Sequence, residues 1–229
     1  MSSPSFRSST PGLFEIIAGS ALSILLGLVL AALFLIFKEV SSVDQVPKDK
    51  KSGVVYFVQG RKDWNSGRRW LLKREAFVQG HSISISEDEL NAWIEAIYPP
   101  VLPAAPAAKD KEKKDADSPW LQPGTPNVRV AADAVTLGVV CDLNIFGLTT
   151  KLVLQSEGHF AKSKGAVVFQ PNTIFIGSLP LHRFGIAKGF AFRSLAGLYQ
   201  FPADLEKAWE KLTDVQVDHN QLALTVEGS

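Results

Sequence analysis

An uninterrupted apolar stretch near the N-terminus constrains this chain more than any other feature. From Ile16 to Phe37 the sequence has 22 residues without a charge or a proline, and Glu15 and Lys38 flank the run. A helix of that length spans about 33 Å, slightly more than the roughly 30 Å hydrocarbon core of a bilayer. The sequence therefore predicts a single transmembrane helix.

A cleaved signal peptide is the alternative interpretation of the same run. Its apolar core would be about 7–15 residues long, with a more basic region before it and an Ala-x-Ala-like site after it. Here the run is longer, only Arg7 precedes it among basic residues, and the segment KEVSSV follows it. These differences favour a retained anchor.

Small residues recur at a spacing of four within the anchor and fall on one helical stripe. Such a stripe lets the backbones of two membrane helices approach closely, which would allow a homodimer or contact with another membrane protein. The alternative is that small residues are simply common in membrane helices. The stripe consists of Gly19, Ser23, Gly27 and Ala31.

Composition limits the remaining classes of function. The chain has 229 residues, of which 46% are hydrophobic and 21% are charged, and its formal net charge is +1. Nucleic-acid-binding domains are usually strongly basic, so no nucleic-acid partner is expected. The single cysteine, Cys141, excludes an intramolecular disulfide and a zinc site built from several cysteines.

The sequence predicts one membrane-anchored domain that is interrupted by a flexible insertion. Residues at about 99–126 are rich in Pro, Ala, Lys and Asp and cannot bury enough apolar surface to fold, so they are interpreted as a flexible insertion. The sequence predicts a short tail at 1–15, an anchor at 16–38, a polar stalk at 39–52 and one domain at 53–229.

A basic segment follows the stalk. Between Lys48 and Arg74 there are nine Lys and Arg residues and two Asp residues. Basic clusters beside a membrane helix are attracted to anionic lipid head groups, whereas the alternative is an ordinary solvated face. The candidates for contact with head groups are Arg61, Lys62, Arg68 and Arg69.

The domain combines helical and strand patterns. Ser86 and Glu89 form a capping box, and an apolar stripe follows at Leu90, Trp93, Ile94 and Ile97. From Val128 the period changes to two, and three long strands joined by short turns indicate an antiparallel meander. The meander is apolar on both faces, so either a helix or an apolar ligand is expected to cover its second face.

Three further elements complete the predicted fold. A glycine-rich amphipathic helix is expected over residues 184–199, a better helix begins after Pro202, and a hairpin ends the domain. The fold class is therefore α+β, in which a transmembrane helix precedes a curved antiparallel sheet packed on amphipathic helices.

The sequence lacks recognisable catalytic motifs. It has no G-x-S-x-G elbow, no phosphate-binding P-loop and no G-x-G-x-x-G motif, and its four histidines are scattered. We therefore expect no enzymatic activity, no catalytic residues, no cofactor and no metal site.

Two short motifs resemble a known family over roughly residues 80–227, outside the insertion. They consist of Glu89, Leu90 and Asn91, and of Gly177, Leu179, Pro180 and Leu181. Together with the order of elements they resemble the YpmS-like membrane-anchored bacterial envelope proteins and, more distantly, LmeA-type lipid-binding proteins. The resemblance implies a curved sheet wrapped on a long helix, sometimes with lipid between them. It also implies an extracytoplasmic domain on the cytoplasmic membrane, although a literal count of flanking positive charges would place the domain in the cytoplasm.

These patterns leave two hypotheses for function. The first is a lipid-binding module with an apolar groove for a lipid or isoprenoid chain, and the second is a structural or assembly protein that binds another envelope protein without a lipid. The candidate groove residues are Phe184, Phe190, Phe192 and Leu195 on one wall, and Trp93 and Ile97 on another.

Overall fold

The computed structural model confirms an α+β fold with an N-terminal apolar helix and antiparallel sheets. It describes residues 12–227 apart from 44, 46, 50, 52, 64, 101–119, 132–133, 146–147, 186–191, 194–196 and 198. The helices are α1 (Leu13–Phe37), α2 (Ser66–Val78), α3 (Glu87–Ile97) and α4 (Ala203–Trp209), with a 3-10 turn at Leu181–Arg183. The strands are β1 (Ser41–Val43), β2 (Tyr56–Val58), β3 (Ile83–Ser86), β4 (Leu121–Pro123), β5 (Asn127–Ala131), β6 (Ala134–Ile145), β7 (Leu148–Ser163), β8 (Ala166–Ile176), β9 (Leu179–Pro180), β10 (Leu212–Asp218) and β11 (Gln221–Val226).

Helix α1 contains the whole apolar run. It extends for 25 residues, and the backbone N–H of Gly12 donates to the carboxylate of Glu15 at its start. Most of its side chains are exposed, and they pack on the rest of the chain only near the C-terminal end. Its length and composition fit a single-pass anchor or a signal sequence.

The main sheet is the predicted meander with additions at its edge. Its strand order is β4-β6-β7-β8-β9, and β5 also pairs with β6. Strands β6 and β7 stay in register from Val135 opposite Gly158 to Ile145 opposite Leu148. Strand β4 lies inside the segment predicted to be a flexible insertion. Its residues form a strand because they pair with the free edge of β6. The insertion is therefore shorter than expected on that side, while residues 101–119 lie outside the described part of the chain.

A first hydrophobic core joins the main sheet to a second one. The second sheet has the order β10-β11-β3. Strands from both sheets contribute buried residues to this core, together with residues of α2, α3 and α4. Its buried residues include Trp70, Phe77, Ile94, Val128, Val135, Leu205 and Leu224.

The second face of the main sheet is covered by a strand instead of the helix or ligand expected from the sequence. The ring of Phe57 in β2 lies against Gly138, where any side chain would overlap it. Strand β2 pairs in parallel with β1, which comes from the segment predicted to be a stalk. Part of this segment is therefore folded into the domain, because the backbone of Ser41–Val43 pairs with the edge of β2.

Two side chains of α3 take the place of a strand beside β5. Asn91 donates to the carbonyl oxygens of Arg61 and Val128 at 2.9 and 2.7 Å and accepts from the N–H of Val128 at 2.8 Å. One helical turn earlier, Glu87 accepts from the N–H groups of Arg61 and Val130. Residues 128 and 130 alternate along the strand edge, so the i, i+4 pair on the helix matches their spacing.

Glu89 connects the start of α3 to α2. Its carboxylate completes the predicted capping box by accepting from the N–H of Ser86 at 2.9 Å, and it also accepts from Lys73 at 2.7 Å. Desolvation by burial raises the pKa of this carboxyl, but the hydrogen bonds from Lys73 and Ser86 outweigh it, and the pKa is lowered from 4.5. The buried carboxylate therefore stabilises the fold in its charged form.

Acid is expected to remove this contribution. Because the folded-state pKa of Glu89 is lowered, its contribution is fully present above pH 4.5 and is lost as pH falls through the folded pKa. The Glu89→Gln variant should lose stability at neutral pH and show a smaller further loss on acidification than the wild type. Thermal unfolding at several pH values measures the difference, with exposed Glu75→Gln as the control. Parallel pH profiles for wild type and Glu89→Gln would contradict this assignment.

The end of α1 is attached to the turn between β8 and β9. The N–H of Ser178 donates to the carbonyl oxygen of Leu35 at 2.9 Å. Gly177 has a φ of +56°, and a methyl group on it would overlap the carbonyl of Ile36. Ile36 also packs on a second core of Val139, Cys141, Leu152 and Leu154. The last turn of the apolar helix is therefore part of the folded domain.

Candidate functional site

An apolar cavity lies between the main sheet and the helices of the domain. Its volume is about 430 Å³, within the range of roughly 300–1,000 Å³ that is typical of ligand pockets. The sheet side includes Leu137, Val139 and Leu154, and the opposite side includes Trp93 and Leu205. Among the described residues, no charged side chain lines it. Such a surface suits an apolar ligand.

Aromatic side chains dominate the cavity wall. The rings of Trp70 and Trp93 have centroids 4.9 Å apart, and the ring of Phe201 meets Trp93 edge-on at 6.0 Å. Rigid aromatic surfaces of this kind contribute large apolar area at a low entropic cost. In the described part of the chain, the aromatic lining residues are Trp70, Phe77, Trp93, Tyr98, Phe160, Phe192, Tyr199, Phe201 and Trp209.

Most polar groups at the wall already have partners within the protein. The hydroxyl of Tyr199 donates to the carbonyl of Gly124 at 2.7 Å, and the indole N–H of Trp209 donates to Val167 at 3.0 Å. Burial raises the pKa of the Tyr199 hydroxyl, which keeps it neutral. The buried indole N–H of Trp70 lacks a partner among the described residues. The wall thus presents little free hydrogen-bonding capacity.

The cavity and the end of the apolar helix both contact the second core. Val139 and Leu154 line the cavity and belong to the second core, on which both Ile36 and the cavity residue Tyr199 pack. The second core thus contributes to the cavity wall and also contacts the last turn of α1. If α1 spans a bilayer, the cavity lies beside the point where the chain leaves it.

The structure brings together only part of the groove expected from the sequence. Trp93 and Phe192 line the cavity, and Phe192 also stacks on Phe169 at 5.2 Å. Ile97 and Phe184 are 36% and 57% exposed and lie outside the cavity lining. Ile97 is at the last turn of α3, and Phe184 follows the 3-10 turn, so neither is held against the sheet.

The remaining groove residues and most of their predicted helix lie outside the described residues. These are Phe190 and Leu195. A 3-10 turn lies immediately before that segment. Within it, Phe192 and Arg193 are helical, and the N–H of Gly197 donates to the carbonyl of Arg193 at 2.9 Å.

Sequence reasoning missed the sheet side of the cavity. Leu137, Val139 and Leu154 were recognisable as one face of the alternating strands, but alternation alone does not show what faces them. The lining also includes Phe201 and Tyr199 from the segment before α4. Their role depends on long-range packing, for which the sequence pattern carries no local signal.

Of the four basic residues predicted to contact head groups, two form ion pairs within the domain and two are exposed to solvent. Lys62 forms an ion pair with Glu95, and Arg69 contacts Glu89 at 3.4 Å. Both acids lie on α3, so these two charges are engaged within the domain. Arg61 and Arg68 are exposed, and their contact with head groups stays a prediction.

The small-residue stripe lies on the exposed surface of α1. Gly19, Ser23, Gly27 and Ala31 are all exposed, and the hydroxyl of Ser23 donates to the carbonyl of Gly19 at 2.8 Å. The stripe is therefore available to another helix, and its use in dimerisation stays a prediction.

Comparison with known proteins does not assign the chain to a family. No family model, curated protein or solved structure matches it. Among the described residues, no three His, Cys, Asp or Glu side chains are grouped in a way that could hold a metal ion. The apolar cavity and the N-terminal apolar helix are therefore the two features that bear on the function of this protein.

Proposed function

We propose that this protein is a membrane-anchored, non-enzymatic module that binds or handles lipid, in agreement with the YpmS-like resemblance. The observation that carries the proposal is the apolar cavity, whose wall residues Val139 and Leu154 belong to the core on which Ile36 of α1 packs. Helix α1 is the single-pass anchor in the cytoplasmic membrane, and the domain lies on the extracytoplasmic side. A lipid or isoprenoid chain occupies the cavity.

The composition of the wall supports an apolar chain as the ligand. Each methylene moved from water into such a site contributes about 0.8 kcal/mol, so even part of one acyl chain would contribute several kcal/mol. The head group would remain outside, because the described lining offers no charged partner for it. In this proposal the main sheet curves around the chain, and α3 and α4 form the opposite side.

Filling the cavity should displace the lipid. Leu137 is partly buried and lines the cavity from β6, so Leu137→Trp places a larger ring in the space that a lipid chain would occupy. We expect the amount of lipid retained after detergent exchange to fall by about fivefold, a loss of about 1 kcal/mol in binding free energy. Mass spectrometry of lipids extracted from the purified full chain measures this.

The matched control is Ile97→Trp, which adds the same ring outside the cavity. Lipid bound around α1 should be equal in both variants, so the difference between them reports on the cavity alone. The full chain is required because Ile36 is part of the second core. Equal lipid retention in wild type, Leu137→Trp and Ile97→Trp would exclude a lipid-filled cavity.

One observation favours the alternative of a protein-binding module without a lipid ligand. Leu71 and Leu72 are exposed side by side on α2, next to exposed Arg68. Exposed apolar residues of this kind can mark a protein interface. If wild type retains no cavity lipid and a Leu72→Lys variant loses a partner that the Glu75→Lys variant keeps in co-purification, this alternative is favoured.

A further inference from the structure

The end of the β6–β7 hairpin exposes apolar side chains that the lipid cavity does not use. Leu148 is 77% exposed, Ile145 opposite it is 37% exposed, and Trp120 beside them is 70% exposed. The N–H of Asn144 donates to the carbonyl of Trp120 at 2.8 Å, which fixes Trp120 at this end of the sheet. Residues 146–147 lie outside the described part of the chain.

The strand register places this hairpin end on the same surface as the contact with α1. Cys141 pairs with Leu152, and both pack in the cluster that holds Ile36. Side chains alternate along a strand, so Ile145 lies on the same face as Cys141. Four residues separate the two, which is about 14 Å at roughly 3.4 Å per residue. The apolar face thus continues from the anchor contact to the hairpin end.

The first core lies on the opposite side of that contact. Along β6 the order is Val135 in the first core, Cys141 at the contact with α1, and Ile145 at the hairpin end. The first core includes three helices and the second sheet, which must remain outside the hydrocarbon. Ile145 and Leu148 therefore lie on the side of the contact that faces away from the first core.

We propose that the side chains of Trp120, Ile145 and Leu148 insert into the surface of the same bilayer that α1 spans. Lipid covers this apolar surface, because the strand face that carries Ile145 also contacts Ile36 of α1. Tryptophan is favoured at the membrane–water interface. The inference rests on the anchor in the proposed function and adds a second membrane contact, independent of whether the cavity holds lipid.

Site-directed fluorescence on the full chain in vesicles of phosphatidylcholine and phosphatidylglycerol tests this contact. An environment-sensitive probe is attached at Leu148→Cys, at Ala166→Cys and at Leu25→Cys in separate variants. Ala166 is exposed at the other end of β7 and β8 and is the matched control. Burial raises the pKa of Cys141 to about 11, so the natural thiol stays unlabelled near neutral pH.

The expected result is a difference between the two ends of the β7 region of the main sheet, with Leu148 at one end and Ala166 of β8 at the other. The probe at Leu148 should be quenched severalfold more by nitroxide-labelled lipid than the probe at Ala166, and severalfold less by aqueous iodide. Trp120→Cys repeats the measurement in case Leu148→Cys impairs folding. Equal quenching at both ends overturns the inference. Protection from iodide without quenching by lipid indicates a second copy of the chain and also overturns it.

The probe at Leu25 tests whether α1 lies in the bilayer, independently of the membrane contact at Leu148. Quenching of the Leu25 probe by lipid together with a water-accessible Leu148 probe overturns the hairpin contact alone. A water-accessible Leu25 probe overturns both the anchor and the hairpin contact. Lipid retention in the Leu137→Trp comparison remains a separate measurement of the cavity.

Discussion

Replacing Asn91 by leucine is expected to destabilise the domain by about 3–5 kcal/mol. The substitution removes three hydrogen bonds and leaves the N–H and C=O of Val128 and the C=O of Arg61 without their partner. Each unsatisfied buried group costs about 1–3 kcal/mol. For a chain of this size the midpoint of thermal unfolding should fall by about 10 °C, which tryptophan fluorescence of the detergent-solubilised full chain can follow.

Ala96→Leu is the control for this prediction. Ala96 is exposed on the same helix, so leucine is added there without the loss of a buried hydrogen bond, and the midpoint should stay close to that of the wild type. Val128 lines the cavity, so Asn91→Leu should also reduce lipid retention. Equal midpoints for Asn91→Leu and Ala96→Leu would show that the three hydrogen bonds do not hold β5 in place.

Replacing Gly177 by alanine is expected to detach the end of α1 from the domain. The positive φ of Gly177 makes any other residue unfavourable by about 1–2 kcal/mol. In addition, the new methyl group would overlap the backbone of Ile36, which cannot move without a shift of α1. Overpacking of this kind costs a further 1–3 kcal/mol or so. Trypsin should then cleave at Lys38 several times faster, as measured by gel electrophoresis of the full chain in detergent.

Gly165→Ala separates the two contributions. Gly165 also has a positive φ, of +87°, but a methyl group there would meet open space. Its variant should therefore lose about 1–2 kcal/mol of stability and keep the cleavage rate of the wild type at Lys38. If Gly165→Ala accelerates cleavage as much as Gly177→Ala does, the contact with Ile36 does not control the segment.

Local patterns were sufficient for several elements of the fold. The apolar run predicted α1, the Ser86–Glu89 capping box predicted the start of α3, and alternation predicted β6, β7 and β8. Each of these signals lies within a few residues of the element it determines. The pairing of β1 with β2 has no such signal, because two three-residue strands in parallel depend on the surface that they cover.

The candidate site was predictable only in part for the same reason. Trp93 was identified because it belongs to an amphipathic stripe, and it does line the cavity. Ile97 belongs to the same stripe but is outside the cavity lining. A stripe predicts which way a side chain points, but it does not predict how far the opposing surface extends. Glu89 and Asn91 were singled out as motif residues, and the structure shows why they matter for stability: one pairs with α2 and the other holds β5.

The attachment of α1 to the turn at Ser178 has a mechanical consequence. A helix that spans a bilayer tilts to match the thickness of the hydrocarbon core, and α1 would do so as the proposed anchor. Because the hydrogen bond from Ser178 joins the last turn to the main sheet, the domain must lean with the helix. Membrane thickness would then set the angle at which the cavity faces the lipid surface.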